Sequence, residues 1–165
     1  MPLSLYITRV DSEEPVRRGT RVIGYSRVST YILCLYDGST HTVTRLRFVD
    51  GVYRGGDVEK LRSILMECME RKEKVFYYSS RQLELLKEAL KGLPKTMSLL
   101  EQMIREGLVE DLEKTRKVAP QAILAPVIVQ VKKRDELESV EKNVEGGCVG
   151  ASKIIYELLR AETTI

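Results

Sequence analysis

An α+β fold, with a mostly antiparallel sheet and helices packed on one side, is predicted by three features of this 165-residue sequence. Residues 1–56 read as β-branched and aromatic runs separated by short turns, the pattern of an antiparallel meander. From Asp57 onward the apolar residues recur with helical period. The turns of the first third are too short to hold crossover helices, so its strands pair antiparallel.

Leu3–Val10 is predicted as the first strand, and Asp11–Gly19, with three acids, a proline and a glycine, as a loop. Arg21–Arg27 and Tyr31–Tyr36 follow as two strands, then Asp37-Gly38-Ser39-Thr40 as a turn. Thr42–Val49 ends at Asp50-Gly51, a two-residue hairpin signal, with Val52–Arg54 as the return strand. Asp57 can cap a helix to about Arg71, because Leu61, Ile64, Leu65, Cys68 and Met69 share one face. Lys74–Tyr78 is a short strand. Ser79 with Gln82 has the spacing of a capping box for a helix to Leu90, which Gly92 and Pro94 end. Leu99 to Ile104 continue in helical period, with a break at Gly107. Ala122–Lys132 reads as a strand, with Pro126 suited to an edge or bulge. Leu137 and Val140 mark a short helix. Gly146–Gly150 reads as a flexible hinge, and Ser152 can cap a last helix carrying Ile154, Ile155, Leu158 and Leu159. Two units follow: residues 1–145 as one α+β domain, and 146–165 as a glycine hinge plus a C-terminal helix. That helix could fold back on the core or pair with a second copy as a homodimer or homotetramer.

The charge is unevenly placed. Residues 1–56 hold eight arginines, five acids and no lysine, so the formal net charge of +3 sits entirely in this third with six of the ten aromatics. Charged residues make up 31% of the chain, and it has one Asn and four Gln, a usage typical of hyperthermophile proteins. No apolar run approaches the ~20 residues of a membrane span, so a cytoplasmic protein is expected. Three widely spaced cysteines and a single histidine, His41, offer no paired metal-ligand motif. No cofactor and no catalytic role are expected.

Arginine grips phosphate through a planar fork. Alternation places Arg45 and Arg47 on the side of their strand opposite Leu46 and Phe48, and an unpaired arginine on a core side would cost several kcal/mol. By the same rule Arg21, Tyr25 and Arg27 share a face, and Tyr36 lies outward of Leu33 and Leu35. A platform of Arg21, Tyr25, Arg27, Tyr36, Arg45 and Arg47 around Ile23, Ile32 and Cys34 is therefore expected, with Tyr53 and Arg54 at the adjoining hairpin. Tyrosines that stack bases within a frame of phosphate-binding cations suit single-stranded DNA or RNA. Helices could instead cover this face and make the tyrosines ordinary core.

Two family resemblances bear on function. The order of elements is similar to that of RNase H-like modules, but Ser79-Ser80 and Gly150-Ala151-Ser152 stand where such nucleases carry metal-binding acids. The implied alternative is a catalytically degenerate module or a protein-assembly subunit. The Arg/Tyr meander ending in Arg45-Leu46-Arg47-Phe48-Val49-Asp50-Gly51, the Asp57–Arg71 helix, the Lys74–Tyr78 strand and the terminal Leu/Ile helix resemble the ThermoDBP-related proteins. These are single-stranded nucleic-acid-binding proteins of hyperthermophilic archaea. The resemblance implies a cleft with an apolar floor and basic rim, and oligomerisation through the C-terminal segment.

Overall fold

Two strands of sixteen residues each, β1 (Leu3–Arg18) and β2 (Arg21–Tyr36), form the spine of the computed structural model, which describes residues 2–115 and 127–163. They pair antiparallel from Ser4 opposite Tyr36 to Arg18 opposite Arg21. β3 (His41–Val49) and β4 (Val52–Gly56) complete the meander. The Asp50-Gly51 turn between them has positive φ at both residues (48° and 81°), the geometry its sequence signals. Helix α1 (Val58–Arg71) leads to β5 (Val75–Tyr77). α2 (Ser80–Leu90) and α3 (Pro94–Arg105) then lead to β6 (Val109–Asp111) and the single turn α4 (Leu112–Thr115). After 116–126 come β7 (Ile128–Gln130), a 3-10 turn (Arg134–Glu136) and helix α5 (Leu137–Thr163). The sheet runs β4-β3-β2-β1-β5-β6, with β7 also on β1. It is mostly antiparallel, as expected of this α+β chain, but β5, β6 and β7 add parallel pairings at one side.

The expected loop at Asp11–Gly19 is strand as far as Arg18. Arg9 and Asp11 turn their backbone groups to the outer edge, where Arg9 N–H donates to Val127 and Asp11 C=O accepts from Val131. Pro15 has the same parity, so its missing N–H falls on that edge and removes no bond to β2. Likewise Arg21–Arg27 and Tyr31–Tyr36 are one continuous strand. The intervening Val28-Ser29-Thr30 pairs with Ser12, Asp11 and Val10 on one side and with Val49, Phe48 and Arg47 on the other. The strand expected at Ala122–Lys132 is seen only as Ile128–Gln130, and 122–126 lie outside the described residues.

Helices α1, α2 and α3 cover one side of the sheet. Leu5, Ile7, Leu33, Leu46 and Phe48 pack there against Leu61, Leu65, Leu86, Leu90 and Met103. The opposite side receives α5, whose Cys148, Ala151, Ile155 and Leu159 meet Tyr6, Val10, Ile32 and Cys34. The glycine hinge is thus absent: Gly146 to Gly150 are helical turns within the 27 residues of α5. Burial of the small-residue stripe overrides the poor helix propensity of glycine. Small Cys148 and Ser152 let the helix approach closely, with Cys148 Sγ 3.1 Å from Tyr6 O and Ser4 Oγ donating to Ser152 O at 2.6 Å. The apolar stripe that could have joined two copies is spent on the chain's own sheet, so residues 137–163 are not a detached segment. A Cβ at Gly146 or Gly150 would meet nothing within 4 Å. Gly146→Ala and Gly150→Ala are each expected to raise stability by about 0.5–1 kcal/mol, read as higher urea midpoints.

Of the expected side-chain caps, Ser79 does cap α2, its hydroxyl accepting from Arg81 N–H at 3.4 Å, while two other expectations fail. Asp57 does not cap α1; its carboxylate accepts from Arg45 N–H at 3.0 Å, bracing β3. Gln82 does not close a capping box. It leaves α2 to bond the backbone of Ile7, accepting from its N–H at 2.8 Å and donating to its C=O at 3.0 Å. The outer edge of β1 is thereby supplied in turn by β5, by one side-chain amide and by β7.

Burial pushes the phenols of Tyr6 and Tyr77 up to about 12, with smaller contributions from Cys148 and Asp111 respectively, and the Cys68 thiol up to about 11. These groups hold their protons longer when folded. Their contribution is complete below the unfolded values near 9–10 and is lost as pH rises towards 12. Alkaline titration should therefore show tyrosinate absorbance from Tyr6 and Tyr77 appearing together with loss of circular dichroism.

Candidate nucleic-acid interface

The continuity of β2 splits the expected platform. Ile32 stands opposite Arg45 and Thr30 opposite Arg47, so Tyr36, Ile32 and Cys34 share a side with Arg45 and Arg47, the side that α5 covers. Tyr25 and Arg27 differ from Tyr36 in parity along one strand and project to the other side. The expectation failed because it treated two halves of one strand as independently orientable.

The α5 side is closed. Ile32 and Cys34 are fully buried. Tyr36 is only 9% exposed, its hydroxyl donates to Gly38 O, and its ring stacks on His41 at 4.2 Å with Tyr156 of α5 edge-on. Arg45 reaches Glu141 at 3.3 Å and Glu145 at 2.9 Å, two residues one turn apart on α5. It fastens the helix to the sheet. Arg47 lies 3.7 Å from Glu14. Tyr53 packs edge-on against Phe48 at the margin of the main core, whereas Arg54 is exposed on β4. Of the eight predicted residues, Tyr36, Arg45 and Tyr53 serve packing.

What is open is a different surface. β3 ends with Val49 opposite Val28, and beyond it β1 and β2 continue as a two-stranded arm, residues 13–27. From Glu13 to Arg18 it extends roughly 17 Å at ~3.3 Å per residue. Its root is locked: Arg27 N–H donates to the Asp50 carboxylate at 2.9 Å, and Asp50 N–H to Arg27 O at 2.8 Å. Below this, buried Asp11 accepts from Arg9, from the Ser29 hydroxyl and, at 3.5 Å, from Arg27. Arg9 continues to Glu88 of α2, which also accepts from the Tyr31 hydroxyl. Burial opposes the Arg9 charge, but Asp11 and Glu88 outweigh it and raise its pKa. A bulge at Val16/Arg17 leaves Ile23 unpaired and twists the arm.

The arm carries four arginines against two glutamates. Arg17, Arg18 and Arg21 are exposed around the Gly19-Thr20 turn, and none has a carboxylate partner among the described residues. Glu14 is already engaged by Arg47 and by Arg134 at 3.3 Å. Tyr25 is 67% and Ile23 59% exposed. Between the arm and the chain leaving β7 lies an open cleft of about 530 Å³. Glu13, Pro15, Arg17, Val22 and Tyr25 line the arm side, and Gln130, Lys132 and Arg134 face them.

Arg17, Arg18, Lys132 and Arg134 were missing from the sequence-based site. The arginines flanking Gly19 have the look of a hairpin tip, but the acids and proline just before them read as loop. Lys132 and Arg134 lie more than a hundred residues away and are brought in by the parallel pairing of β7. Among the described residues no group of three or more His, Cys, Asp or Glu is placed to hold a metal, and no helix is long and apolar enough to cross a membrane. The chain matches no protein-family model, and no curated protein or solved structure matches it.

Proposed function

We propose that the protein is a non-enzymatic, largely sequence-independent binder of single-stranded DNA or RNA, working through the β1–β2 arm rather than through the sheet face. The observation that carries this reading is the trio Arg17, Arg18 and Arg21, exposed and without a carboxylate partner among the described residues, with Arg17 lining the same cleft as the exposed Tyr25. Guanidinium groups that meet phosphate release counterions, and an exposed ring accepts any base, so the arm supplies affinity without a sequence code. Arg27 and Arg54 extend the cationic surface. The resemblance to ThermoDBP-related proteins points to the same ligand. The exposed Val16, Val22 and Ile23 could alternatively seat another protein, the assembly reading. Pro15 on the outer edge opposes strand-to-strand pairing there.

The test is a fluorescence titration of the full chain with labelled oligonucleotides at two salt concentrations. Binding that weakens steeply with salt is expected. Absence of binding at low salt, or salt-insensitive association with protein alone, would overturn the reading.

A second reading has one specific observation behind it. The resemblance of the element order to RNase H-like modules is joined by a central group β3-β2-β1-β5-β6 in which β2 alone runs antiparallel to the rest. At the end of β5, Ser79 donates its N–H to Asp111 at 3.0 Å where such nucleases cluster acids. A degenerate module of this type would also bind nucleic acid, and a metal-dependent cleavage assay on RNA/DNA hybrids separates it from an active relative.

A further inference from the structure

Building on the reading of the arm as a single-strand binder, we propose that the cleft at its root holds one unpaired nucleotide of the bound strand, its base stacked on Tyr25 and its flanking phosphates held by Arg17 and Lys132. The volume of about 530 Å³ falls in the ~300–1,000 Å³ range of small-ligand sites. Tyr25, Pro15 and Val22 form an apolar patch on the arm side of the cleft, beside Ser12 and Glu13. Tyr25 stands directly opposite Pro15 across the two strands, with Val22 beside them, so a planar ring finds a flat surface to cover.

The rim carries three cations, Arg17, Lys132 and Arg134, against the single carboxylate of Glu13. Arg17 and Lys132 lie on opposite walls and have no carboxylate partner among the described residues, while Arg134 is held by Glu14. Two cations that line the same cleft as one exposed aromatic ring suit a base together with its flanking phosphates. A paired base has both faces covered by its stacked neighbours and cannot reach Tyr25, so the cleft selects unpaired strands.

Titration of the full chain with a labelled oligothymidylate and with a duplex of equal length tests this. Tyr25→Ala is expected to weaken oligothymidylate binding about tenfold with little change in salt dependence, and Tyr25→Phe to restore it. Lys132→Gln is expected to lower the log–log salt slope by about 0.7. Photocrosslinking from a 5-iodouracil oligomer should map to Tyr25. If the wild type binds but Tyr25→Ala binds equally well, or crosslinks map elsewhere, the cleft assignment is overturned while the arm reading stands. Equal affinity for duplex, or equal competition by a polyglutamate peptide, also overturns the cleft assignment. No binding by the wild type overturns the arm reading itself.

Discussion

Gln82→Leu is expected to destabilise the protein by about 4 kcal/mol, a large share of the ~5–15 kcal/mol that holds a typical domain together. The side chain is 1% exposed and satisfies both backbone groups of Ile7, which is itself fully buried. Leucine fills the volume but leaves an N–H and a C=O without partners, at ~1–3 kcal/mol each. Urea denaturation reads the loss as a lower midpoint at unchanged slope. Gln82→Glu is a sharper probe. Its carboxylate can accept from Ile7 N–H, but only the protonated acid can donate to Ile7 C=O. The folded-state pKa of that glutamate is therefore raised. The variant's stability should be greatest below the unfolded glutamate value near 4.3 and fall as pH rises through the raised one. A variant as stable as wild type at neutral pH would show that the amide bridge contributes little.

The second large effect concerns the arm. Replacing Arg17, Arg18 and Arg21 together by Gln is expected to reduce the log–log salt slope of oligonucleotide binding by about 2. At 50 mM salt it should weaken affinity on the order of 10²–10³-fold. All three side chains are exposed and hold no ion pair among the described residues, so the thermal midpoint should move by less than a few degrees. The same triple change at residues that merely decorate a surface would leave binding intact. An unchanged slope would remove the arm tip from the interface and leave Arg54 as the exposed arginine of the N-terminal third that holds no ion pair among the described residues.

Much of the architecture was legible in the residues, and the failures share a cause. The helical periodicity of Leu61, Leu65 and Cys68, the Asp50-Gly51 turn and the Lys74–Tyr78 strand signal themselves locally. Strand continuity through Asp11–Arg18 and Val28–Thr30 does not. There, pairing on both sides of β2 and the outward backbone of Pro15 override unfavourable composition. Face assignment then inherits the error, because one misplaced break inverts every side chain beyond it. The glycines of α5 mislead for a related reason: what keeps 146–150 helical is Tyr6, Ile32 and Cys34, more than a hundred residues upstream. An abundance of arginine correctly drew attention to the first third. Which arginines are free could be settled only by finding Glu141 and Glu145 beside Arg45, and no carboxylate partner for Arg17 and Arg18 among the described residues.

The closure of one sheet side by α5 has a consequence for biosynthesis. Ser4 and Ser152, joined across that layer, are 148 residues apart in the chain. A ribosome delivers the long hairpin well before its lid, so Tyr6, Ile32 and Cys34 form a greasy, water-facing patch on the nascent polypeptide until α5 emerges. During that interval the growing chain is a natural client for chaperones that mask apolar surface.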